Sequence, residues 1–491
     1  MIKTKQSAYQ TLVQSTFGPT EQEIEALQGS TVNHWVDQQV ALPQNYFEHL
    51  FKVTQNLHDK EEWTDIHLNA AWYMLAIEKE DQLRSRLAYT LTQLFVVSKN
   101  VPSLRSHPRK IAFANYFDTV ATYALGSFRD LIGAVARHPI MGEFLTYRDN
   151  NYVEGRKPDE NFARELMQLF TIGPHQLNLD GTVVTDESNQ PIATYTQQDI
   201  EQLARVFTGW TLNNDNWQTP MLPIKPHDAG AKQILDFTIN AGLNAEQEMD
   251  IVLDELCDHR NTAPYVSKFL IQKMVTANPS PDYVRSVATV FRQSQGDMVE
   301  VIKSILNHSE AQSTATAYAG KLRDPELVFI HAHRALGVTR PSETTWPNYY
   351  TWTIKRTEPM SSPTVFYHYQ PSDSPNHPLF REKANPEALV YQWADYHEYH
   401  HLLYRVLLSH GVEYDQQTFI DDYLAMADDA LVDTINDRLF GGTLSSTAIE
   451  AIHNFLAHYP TEQSRKHRTT AVVRQLLLQL ITSSQFCVQG R

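Results

Sequence analysis

Cysteine is scarce in this chain. Among 491 residues only Cys257 and Cys487 are cysteines, so no framework of disulfide bonds can hold the fold together. Cys257 falls inside a helical pattern and Cys487 in an apolar final segment, and both are expected to be buried, unreactive thiols. Stability must come from an apolar core, which a chain of this length with 42% hydrophobic residues can form.

Long apolar runs are also missing. No stretch approaches the roughly 20 residues that a membrane-spanning helix requires, so no membrane span is predicted. The first residues, MIKTKQSAYQTLVQSTF, lack the apolar segment of a secretory signal. Two interpretations stay open: the protein is cytoplasmic, or it is periplasmic or extracellular and its signal has been removed.

Positive charge is in deficit. The formal net charge is -16 and the isoelectric point is about 5.7. Such a field repels a nucleic acid or an anionic membrane surface unless a local basic patch offsets it. The basic run Arg465–Arg468 (RKHR) is too short to do so. A nucleic acid partner is therefore not expected.

Several catalytic signatures are absent. The chain contains no GxSxG, no GxxxxGK[ST] phosphate-binding loop, no dinucleotide fingerprint and no CxxC. Covalent acyl transfer, nucleotide hydrolysis and nicotinamide redox chemistry thus have no support, and no cofactor is assigned.

Helical periodicity dominates what is present. In Gln82–Val97 the apolar residues recur every three or four positions, as on one face of a helix. Further along, Asp324, Pro325 and Gly337 are placed as the N-cap, the first-turn proline and the C-terminal glycine of another helix. These patterns predict an all-α fold: a large multi-helix protein with a single core, long irregular loops and at most short strands.

Strands and boundaries are expected at few places. The DGT at Asp180–Thr182 is a turn of the kind that joins two short strands, and a further strand is expected around Thr351. The irregular stretch 339–386 is unusually long, and loops of that length are often functional. Residues 1–385 are predicted to form the main helical domain, and residues 386–491 a C-terminal helical subdomain packed on it.

The most informative segment is Pro158–Trp210. It begins with PDENFARELMQLFTIG, a predicted helix from an N-cap at Asp159 to Ile172, and continues to YTQQDIEQLARVFTGW, where Thr196 and Asp199 predict a capping box. The first helix has an apolar stripe for the core. Its opposite face carries polar residues: Asn161, Arg164, Glu165 and Gln168. Amide, guanidinium and carboxylate groups together are also what a polar pocket is built from.

The two motif helices supply the first candidate site. Carboxylates and arginines on neighbouring helices could form an acid/base pair or clamp an anionic substrate. The alternative is an internal salt-bridge network that locks the helices, since Glu201 and Arg205 already have i,i+4 spacing. The predicted catalytic residues are Glu160, Arg164, Glu165, His227 and Asp228. The predicted substrate-binding residues are Asn161, Arg205, Trp210 and Tyr367.

Loop histidines form a second candidate group. His138, His227 and His259 each lie at a helix edge or in a loop beside proline, aspartate or arginine. Histidines in such places suit a metal site or a proton shuttle. As structural residues they would instead be helix caps or turn formers.

A third candidate is the literal HExxH at His397–His401. On a helix, His397 and His401 would face the same way and could bind zinc, with Glu398 as general base. Its polar and aromatic flanks differ from the apolar frame of a zinc protease helix, so no stoichiometric zinc is expected there. Tyr367 belongs to an aromatic loop, Ser361–Asp373, which is either a ligand platform or a plug beneath the irregular stretch.

Longer motifs run through most of the chain. They are STFGPT (Ser15–Thr20), HWVDQQ (His34–Gln39), LRSRLAYTLTQLFVVS (Leu83–Ser98), FRDLIGAVARHPIMGEFL (Phe128–Leu145), PDENFAREL (Pro158–Leu166), TGW (Thr208–Trp210), HRNTAPYVSKFLIQKMVTANPSPDYV (His259–Val284) and SSPTVFYHYQP (Ser361–Pro371). On these motifs the chain resembles the bacterial domain-of-unknown-function family 1800. The resemblance implies a mostly helical fold and no established activity. It also implies a possible sulfatase-like partner protein encoded nearby, and export of many such pairs.

Two functional hypotheses follow. The first is an enzyme with a carboxylate, arginine and histidine pocket, which acts by acid/base or metal-assisted hydrolysis on a cell-surface or extracellular substrate. The second is a non-catalytic scaffold or assembly protein that acts with the sulfatase-like partner. The orientation of the polar faces of the two motif helices discriminates between them: a cavity between these faces favours the enzyme, and direct packing favours the scaffold.

Overall fold

The computed structural model describes residues 1–57, 65–104, 107–313, 321–337, 359–374, 384, 386–388, 426–458 and 465–489. The helices are α1 (Lys5–Ser15), α2 (Glu21–Leu27), α3 (Val32–Ala41), α4 (Phe47–Leu57), α5 (Asp65–Glu78), α6 (Gln82–Leu91), α7 (His107–Tyr123), α8 (Phe128–Arg137), α9 (Pro139–Phe144), α10 (Asn161–Glu165), α11 (Gln197–Val206), α12 (Ala245–Asp258), α13 (Thr262–Met274), α14 (Pro281–Gln293), α15 (Met298–Asn307), α16 (Ser309–Gln312), α17 (Pro325–Leu336), α18 (Asp428–Phe440), α19 (Ser446–Ala457), α20 (Arg465–Ile481) and α21 (Ser484–Cys487). A 3-10 turn spans Pro102–Leu104 and a π-helical segment spans Leu166–Thr171. The strands are β1 (Lys232–Ile234), β2 (Phe237–Ile239), β3 (Lys321–Leu322) and β4 (Val488–Gln489).

The prediction of an all-α fold with at most short strands is confirmed. One apolar core connects the helices: α5 is buried along nearly its whole length and packs against α4, α6, α7 and α17. The same core includes residues of the last helices, such as Ile435 on α18 and Leu477 on α20. The predicted domain boundary between residues 385 and 386 stays a prediction. Within the described ranges no helix combines the length and the apolar character that crossing a bilayer requires.

Strands pair in two short antiparallel sheets. β1 and β2 form a tight hairpin with Ile234 opposite Phe237, which the sequence analysis did not predict. β3 pairs with β4, so Lys321 lies opposite Gln489 and the chain end is tied to the segment before α17. The insert near Asp180 forms isolated antiparallel bridges at Leu177–Val183 and His175–Ala193. The strand expected around Thr351 lies outside the described residues.

The first motif helix changes its winding halfway. The N-cap is Glu160 rather than the predicted Asp159, although the Asn161 N–H donates to Asp159 Oδ1 at 2.9 Å. However, α10 ends at Glu165 and a π-helical segment of 6 residues follows, so the predicted single α-helix to Ile172 is corrected. The N–H groups of Ile172 and Gly173 both donate to the Met167 carbonyl, at 3.1 and 2.9 Å. Such π-turns are frequent at functional sites because they displace side chains from the regular helical positions.

Helix caps follow the sequence closely. The capping box of Thr196 and Asp199 opens α11. Asp324 caps α17, Pro325 occupies its first turn, and Gly337 ends it with a positive φ of 68°. These caps are local hydrogen bonds and backbone preferences, which is why they could be predicted without knowledge of the packing.

A single buried amide fastens the insert 175–193 to the helical body. Asn261, at the N-cap position of α13, donates from Nδ2 to the carbonyls of Ile172 and His175 at 2.9 and 2.8 Å. Its Oδ1 accepts from the Leu177 N–H at 3.0 Å. One fully buried side chain therefore satisfies three backbone groups at the start of the insert.

We expect Asn261→Ala to lower the free energy of unfolding by about 2–4 kcal/mol, because it leaves several buried backbone groups without partners. Urea unfolding followed by circular dichroism measures this. Asn178→Ala is the matched control, since the exposed Asn178 side chain bonds only Thr182 within the insert. Equal effects of the two substitutions would contradict a fastening role for Asn261.

Candidate functional site

The exposed parts of the two motif helices are joined directly to one another. Arg164 donates to Glu160 Oε2 at 3.0 Å, and the Gln197 side chain of α11 donates to the same oxygen at 2.8 Å. Asn161 donates to the Thr146 hydroxyl at 2.7 Å. Glu201 bonds Lys157 on the surface at 2.8 Å. The predicted residues Glu160, Asn161 and Arg164 are thus brought together in a half-exposed network rather than around a cavity.

Glu165 stands apart from this network. Its side chain is buried, and one carboxylate oxygen has no hydrogen-bond partner among the described residues. Burial raises the pKa of Glu165, although the charge of Arg164 opposes the shift. Glu165 also interacts electrostatically with Tyr265 of α13. It therefore lies on the inner side of the motif helix, toward α13.

We expect Arg164→Ala to change the free energy of unfolding by less than about 1 kcal/mol, because an exposed i,i+4 ion pair contributes little. Glu165→Gln should be neutral or slightly stabilising, since it removes a carboxylate whose charge is disfavoured by burial. Parallel thermal melts of both variants test this. A loss of several kcal/mol in Arg164→Ala would show that its ion pair is desolvated.

The second half of the predicted site forms a separate network. Arg205 makes a two-pronged contact with Asp228, from Nε to Oδ2 at 2.7 Å and from Nη2 to Oδ1 at 2.9 Å. The hydrogen bonds to Arg205 lower the pKa of Asp228 against the opposing effect of burial. The Gly230 N–H also donates to Asp228. Arg205 and Asp228 therefore hold the 228–231 loop on α11.

Behind this pair lies a fully buried ion pair. Lys232 and Glu248 have no exposed side-chain surface and their charged atoms are 2.7 Å apart. Lys232 also donates to the carbonyls of Asp228 and Gly230 at 2.6 and 2.9 Å. His227 Nε2 lies 3.1 Å from Glu248 Oε2, and its other ring nitrogen contacts Thr208. The cluster ties α11, β1 and α12 together.

The TGW turn explains why His227 is near this cluster. Gly209 has a φ of +88°, and a Cβ there would lie 2.7 Å from the Lys225 carbonyl oxygen. Only glycine allows so close an approach of the two backbones. Trp210 is buried, with the Arg137 guanidinium 5.8 Å from its ring. Trp210 is thus placed in the core, beside Arg137 of α8.

The histidine and zinc predictions have different outcomes. His138 caps α9, accepting from the Ile140 N–H at 3.2 Å, and burial lowers its pKa to about 3. His259 accepts from the Asn261 N–H at the end of α12. His397 and His401 lie outside the described residues, so the expectation about zinc stays a prediction. In the described ranges no group of histidine, cysteine and carboxylate side chains could hold a metal ion.

A large cavity lies elsewhere, against α13. Its volume is about 560 Å³, which is within the range of sites for small organic ligands. One face of α13 lines it, with residues at the spacing i, i+3, i+4, i+7 and i+8: Tyr265, Lys268, Phe269, Gln272 and Lys273. The helix therefore presents a continuous stripe of alternating polar and aromatic groups to the cavity.

Several other segments complete the wall, among them Gln93 and Leu94 after α6. The π-helical segment contributes Gln168 and Leu169, and the insert contributes residues from Gly173 to Val183. Gly173 has a φ of +71°, and a Cβ there would be 2.7 Å from the Tyr265 ring. The aromatic loop contributes Phe366 and Tyr369. The motif helix thus reaches the cavity through its π-turn, not through the residues predicted as catalytic.

The lining is rich in carboxamides and contains no carboxylate among the described residues. The amide side chains are Gln93, Gln168, Gln272, Asn278 and Gln370. Gln93 is buried, and its Oε1 has no hydrogen-bond partner within the described ranges. This oxygen is covered by neighbouring protein atoms, so a donor group on a ligand reaches it only when the Gln93 side chain turns.

Lys273 is the most unusual residue of the wall. It is 5% exposed, and its Nζ has no hydrogen-bond partner in the described part of the chain. Nζ lies 4.1 Å from the centre of the Tyr369 ring and 5.1 Å from that of Tyr367. Burial lowers the pKa of Lys273 from 10.5 to about 7. The predicted substrate-binding residue Tyr367 thus lies directly behind the wall.

Asp324 holds both tyrosines in place. The hydroxyls of Tyr369 and Tyr367 donate to Asp324 Oδ2 at 3.0 and 3.4 Å. Burial raises the pKa of Asp324 despite these contacts. The aromatic loop is therefore fixed between the N-terminus of α17 and the cavity face of α13.

The sequence contained a signal for this site that the motif analysis did not use. Lys273 follows Phe269 by four residues and Leu270 by three, so it falls on the apolar side of α13. A lysine at a core position is rare unless it has a partner or a function. The cavity itself could not be recognised, because the segments that line it are far apart in the chain.

The fold and the cavity define a helical, single-core protein with an amide-rich cavity between segments that are far apart in the chain. A family model described as Protein of unknown function (DUF1800) matches residues 10–488, so the chain belongs to that family and the resemblance of its motifs is confirmed. No curated protein and no solved structure matches the chain.

Proposed function

We propose that this protein binds a small organic ligand in the cavity formed by α13, the segment after α6, the π-helical segment, the insert and the aromatic loop. The observation that carries the proposal is the pair Gln93 and Lys273. Both side chains are more than nine-tenths buried, both line the cavity, and each has a polar atom without a partner in the described residues. A buried polar atom without a partner is unfavourable, so a ligand that supplies partners gains binding free energy.

An enzyme must first bind its substrate, so ligand binding is consistent with the enzyme hypothesis. Under that hypothesis we propose that the protein acts on a cell-surface or extracellular substrate. The network of Glu160 and Arg164 joins α11 to α10, the helix that immediately precedes the π-helical segment of the wall. Among the predicted catalytic residues, Glu165 is the one that interacts electrostatically with a residue of the cavity lining, Tyr265.

The test is to narrow the cavity and measure binding. Val183 lines the cavity with its side chain partly exposed, so an indole at this position would occupy part of the space. We expect equilibrium dialysis with two fluorescent aromatic probes, anilinonaphthalene sulfonate and the neutral phenyl-naphthylamine, to show saturable binding. Val183→Trp should weaken the binding about tenfold.

Val153→Trp is the control, since Val153 is similarly exposed and lies outside the cavity lining. Binding that is saturable and lost only in Val183→Trp supports the proposal. Absence of saturable binding of both probes, or equal effects of the two tryptophans, would overturn it.

A second candidate function is docking of the sulfatase-like partner protein, and an exposed apolar patch favours it. The patch consists of large apolar side chains on two adjoining loops: Tyr152, Val153, Leu222 and Ile224. The loops are joined by a hydrogen bond from the Tyr152 N–H to the Pro226 carbonyl at 2.9 Å. Ile224 is 65% exposed, and apolar groups grouped in this way are typical of protein interfaces.

We expect Ile224→Asp to abolish copurification with the sulfatase-like protein encoded nearby when the two are coexpressed. Ile66→Asp is the control, because Ile66 is also an exposed isoleucine but lies on α5. Unchanged copurification of Ile224→Asp, or the lack of any complex with the unaltered chain, counts against this second function.

A further inference from the structure

The cavity differs in charge from the chain as a whole. The chain carries a formal charge of -16, yet the described lining has no carboxylate and includes Lys268, Lys273 and, at its rim, His175. Walls of low dielectric constant concentrate the field of such groups within a cleft. The lining itself is therefore cationic, while carboxylates act on the lysines from outside it: Asp180 on Lys268, and Glu387 and Asp324 on Lys273.

The two lysines are arranged for a shared contact. They lie five residues apart on the cavity face of α13, which corresponds to about 7.5 Å along the helix axis. Lys268 Nζ makes one hydrogen bond, to the Gly181 carbonyl at 3.1 Å, and an ammonium group has three donors. Lys273 Nζ makes none with the described residues. Donors remain for a ligand at both ends of the stripe.

Apolar groups occupy the space between and opposite the lysines. Phe269 lies between them on the helix, and Phe366 of the aromatic loop lines the same cavity with 37% of its surface exposed. Lys273 sits behind Tyr369 in this structure, but its flexible four-carbon stem allows the ammonium group to turn toward a bound ion. The site thus combines cationic donors with an aromatic surface.

We infer that the cavity takes an organic anion, whose acidic group is held by Lys268 and Lys273 and whose ring or apolar body packs on Phe269 and Phe366. This inference rests on the ligand-binding role proposed above and specifies the chemical class of the ligand. The acidic group is a carboxylate, a sulfonate or a phosphate ester, all of which accept hydrogen bonds from ammonium groups.

Binding of such an anion is coupled to protonation of Lys273. Burial holds the pKa of its amine near 7, so a large fraction of the free protein carries a neutral amine at neutral pH. An anion beside it favours the ammonium form, and binding therefore takes up a proton and weakens as the pH rises. The charged and titratable groups that face Lys273 from the surrounding elements are Arg86, Lys321, Asp324, Tyr367, His368, Tyr369 and Glu387.

The experiment compares the two probes introduced above. Anilinonaphthalene sulfonate carries a sulfonate that stays ionised throughout the accessible pH range, and phenyl-naphthylamine has the same rings without it. We expect Lys273→Met and Lys268→Met each to weaken binding of the sulfonate about tenfold and to leave the neutral probe within about twofold. Lys225→Met, at an exposed lysine outside the lining, is the matched control.

A pH series on the unaltered protein provides a second measurement that does not depend on folding of a variant. Between about pH 6.5 and pH 8.5, binding of the sulfonate should weaken about tenfold while binding of the neutral probe stays constant. Equal affinities for the two probes, or equal losses of both in Lys273→Met, would overturn the inference and leave the ligand-binding role standing. Failure of both probes to bind would instead remove the ligand-binding role.

Competition experiments then separate the sources of negative charge. Displacement of the sulfonate by phenyl phosphate or by phenylacetate supports the inference and identifies a phosphate ester or a carboxylate as the preferred group. Equally effective displacement by benzyl alcohol, which has the ring without a charge, would contradict it.

Discussion

Replacing Glu248 with alanine is expected to lower the free energy of unfolding by about 3–5 kcal/mol, because the substitution leaves a buried ammonium group without its counter-ion. Both partners of the Lys232–Glu248 pair have no exposed side-chain surface. His227, 3.1 Å from the same carboxylate, loses its neighbour as well. The decrease should appear in urea unfolding and as a lower midpoint in thermal melts.

Two further variants locate the origin of this loss. Glu246→Ala, at an exposed carboxylate in the first turn of the same helix, should change the free energy of unfolding by less than about 0.5 kcal/mol. The double substitution Lys232→Met with Glu248→Leu should recover part of the loss, since no buried charge is left uncompensated. Full recovery is not expected, because Lys232 also donates to two backbone carbonyls. A cost near zero for Glu248→Ala would show that water reaches the pair.

Replacing Lys273 with methionine is expected to act in the opposite direction and to stabilise the protein. At pH 7 the free energy of unfolding should rise by about 2–4 kcal/mol. Protonation of the lysine favours the unfolded chain, because burial disfavours the ammonium form in the folded protein, and methionine has no such group. Methionine has a similar volume and fills the same space beside Tyr369. Such a gain is typical of residues that a fold retains for binding rather than for stability.

The lowered pKa of Lys273 determines how the free energy of unfolding changes with pH. Burial lowers the pKa of Lys273 from 10.5 to about 7, so between these values the unfolded chain binds a proton that the folded protein does not. The free energy of unfolding of the unaltered protein therefore rises with pH in this window, by up to about 1.4 kcal/mol per pH unit from this group. The advantage of Lys273→Met is full at and below pH 7 and disappears toward pH 10.5.

Urea unfolding at a series of pH values measures the difference between the two proteins. Lys225→Met is again the control, and its difference from the unaltered protein should be small and independent of pH. If Lys273→Met destabilised the protein by a constant amount at all pH values, the amine would have to be paired or hydrated in the folded state. The anion site would then lose the residue on which it depends.

The two buried lysines illustrate different uses of a desolvated charge. The ammonium group of Lys232 contacts the Glu248 carboxylate and donates to two backbone carbonyls, so its donors are satisfied. The cluster around it joins α11, β1 and α12. Lys273 meets two tyrosine rings and no acceptor among the described residues. A satisfied charge fixes the fold, whereas an unsatisfied one next to a cavity is available to a ligand.

Much of the fold could be predicted from the sequence. The capping box at Thr196 and the cap, proline and glycine of α17 were placed correctly, because each depends on residues within a few positions of one another. The change to π-winding after Glu165 was not predicted. Its apolar spacing suits an α-helix equally well, and the shift depends on how Met167 and Thr171 pack and bond in the folded protein.

The candidate site was located only in part. The motif segment does reach the cavity, but through Gln168 and Leu169 rather than through Glu160, Asn161 and Arg164. Arg205, His227 and Asp228, which the sequence analysis assigned to one candidate site, lie close together in the structure. The buried pair Lys232 and Glu248 is at the centre of this cluster, and the motif analysis did not include it. Whether the predicted residues act in function stays a prediction, and the Arg164 and Glu165 variants are its most direct test.

By itself the sequence determined the helical class, the family, the caps and the stripes that face the core, because a 3.6-residue repeat and local side-chain bonds need no knowledge of distant residues. Only the tertiary structure decided which charges meet. Lys273 is placed behind Tyr369, and Asp324 beneath both tyrosines, by the packing of α13, α17 and the aromatic loop. Such contacts join segments far apart in the chain, and their distances follow from how whole helices fill the core.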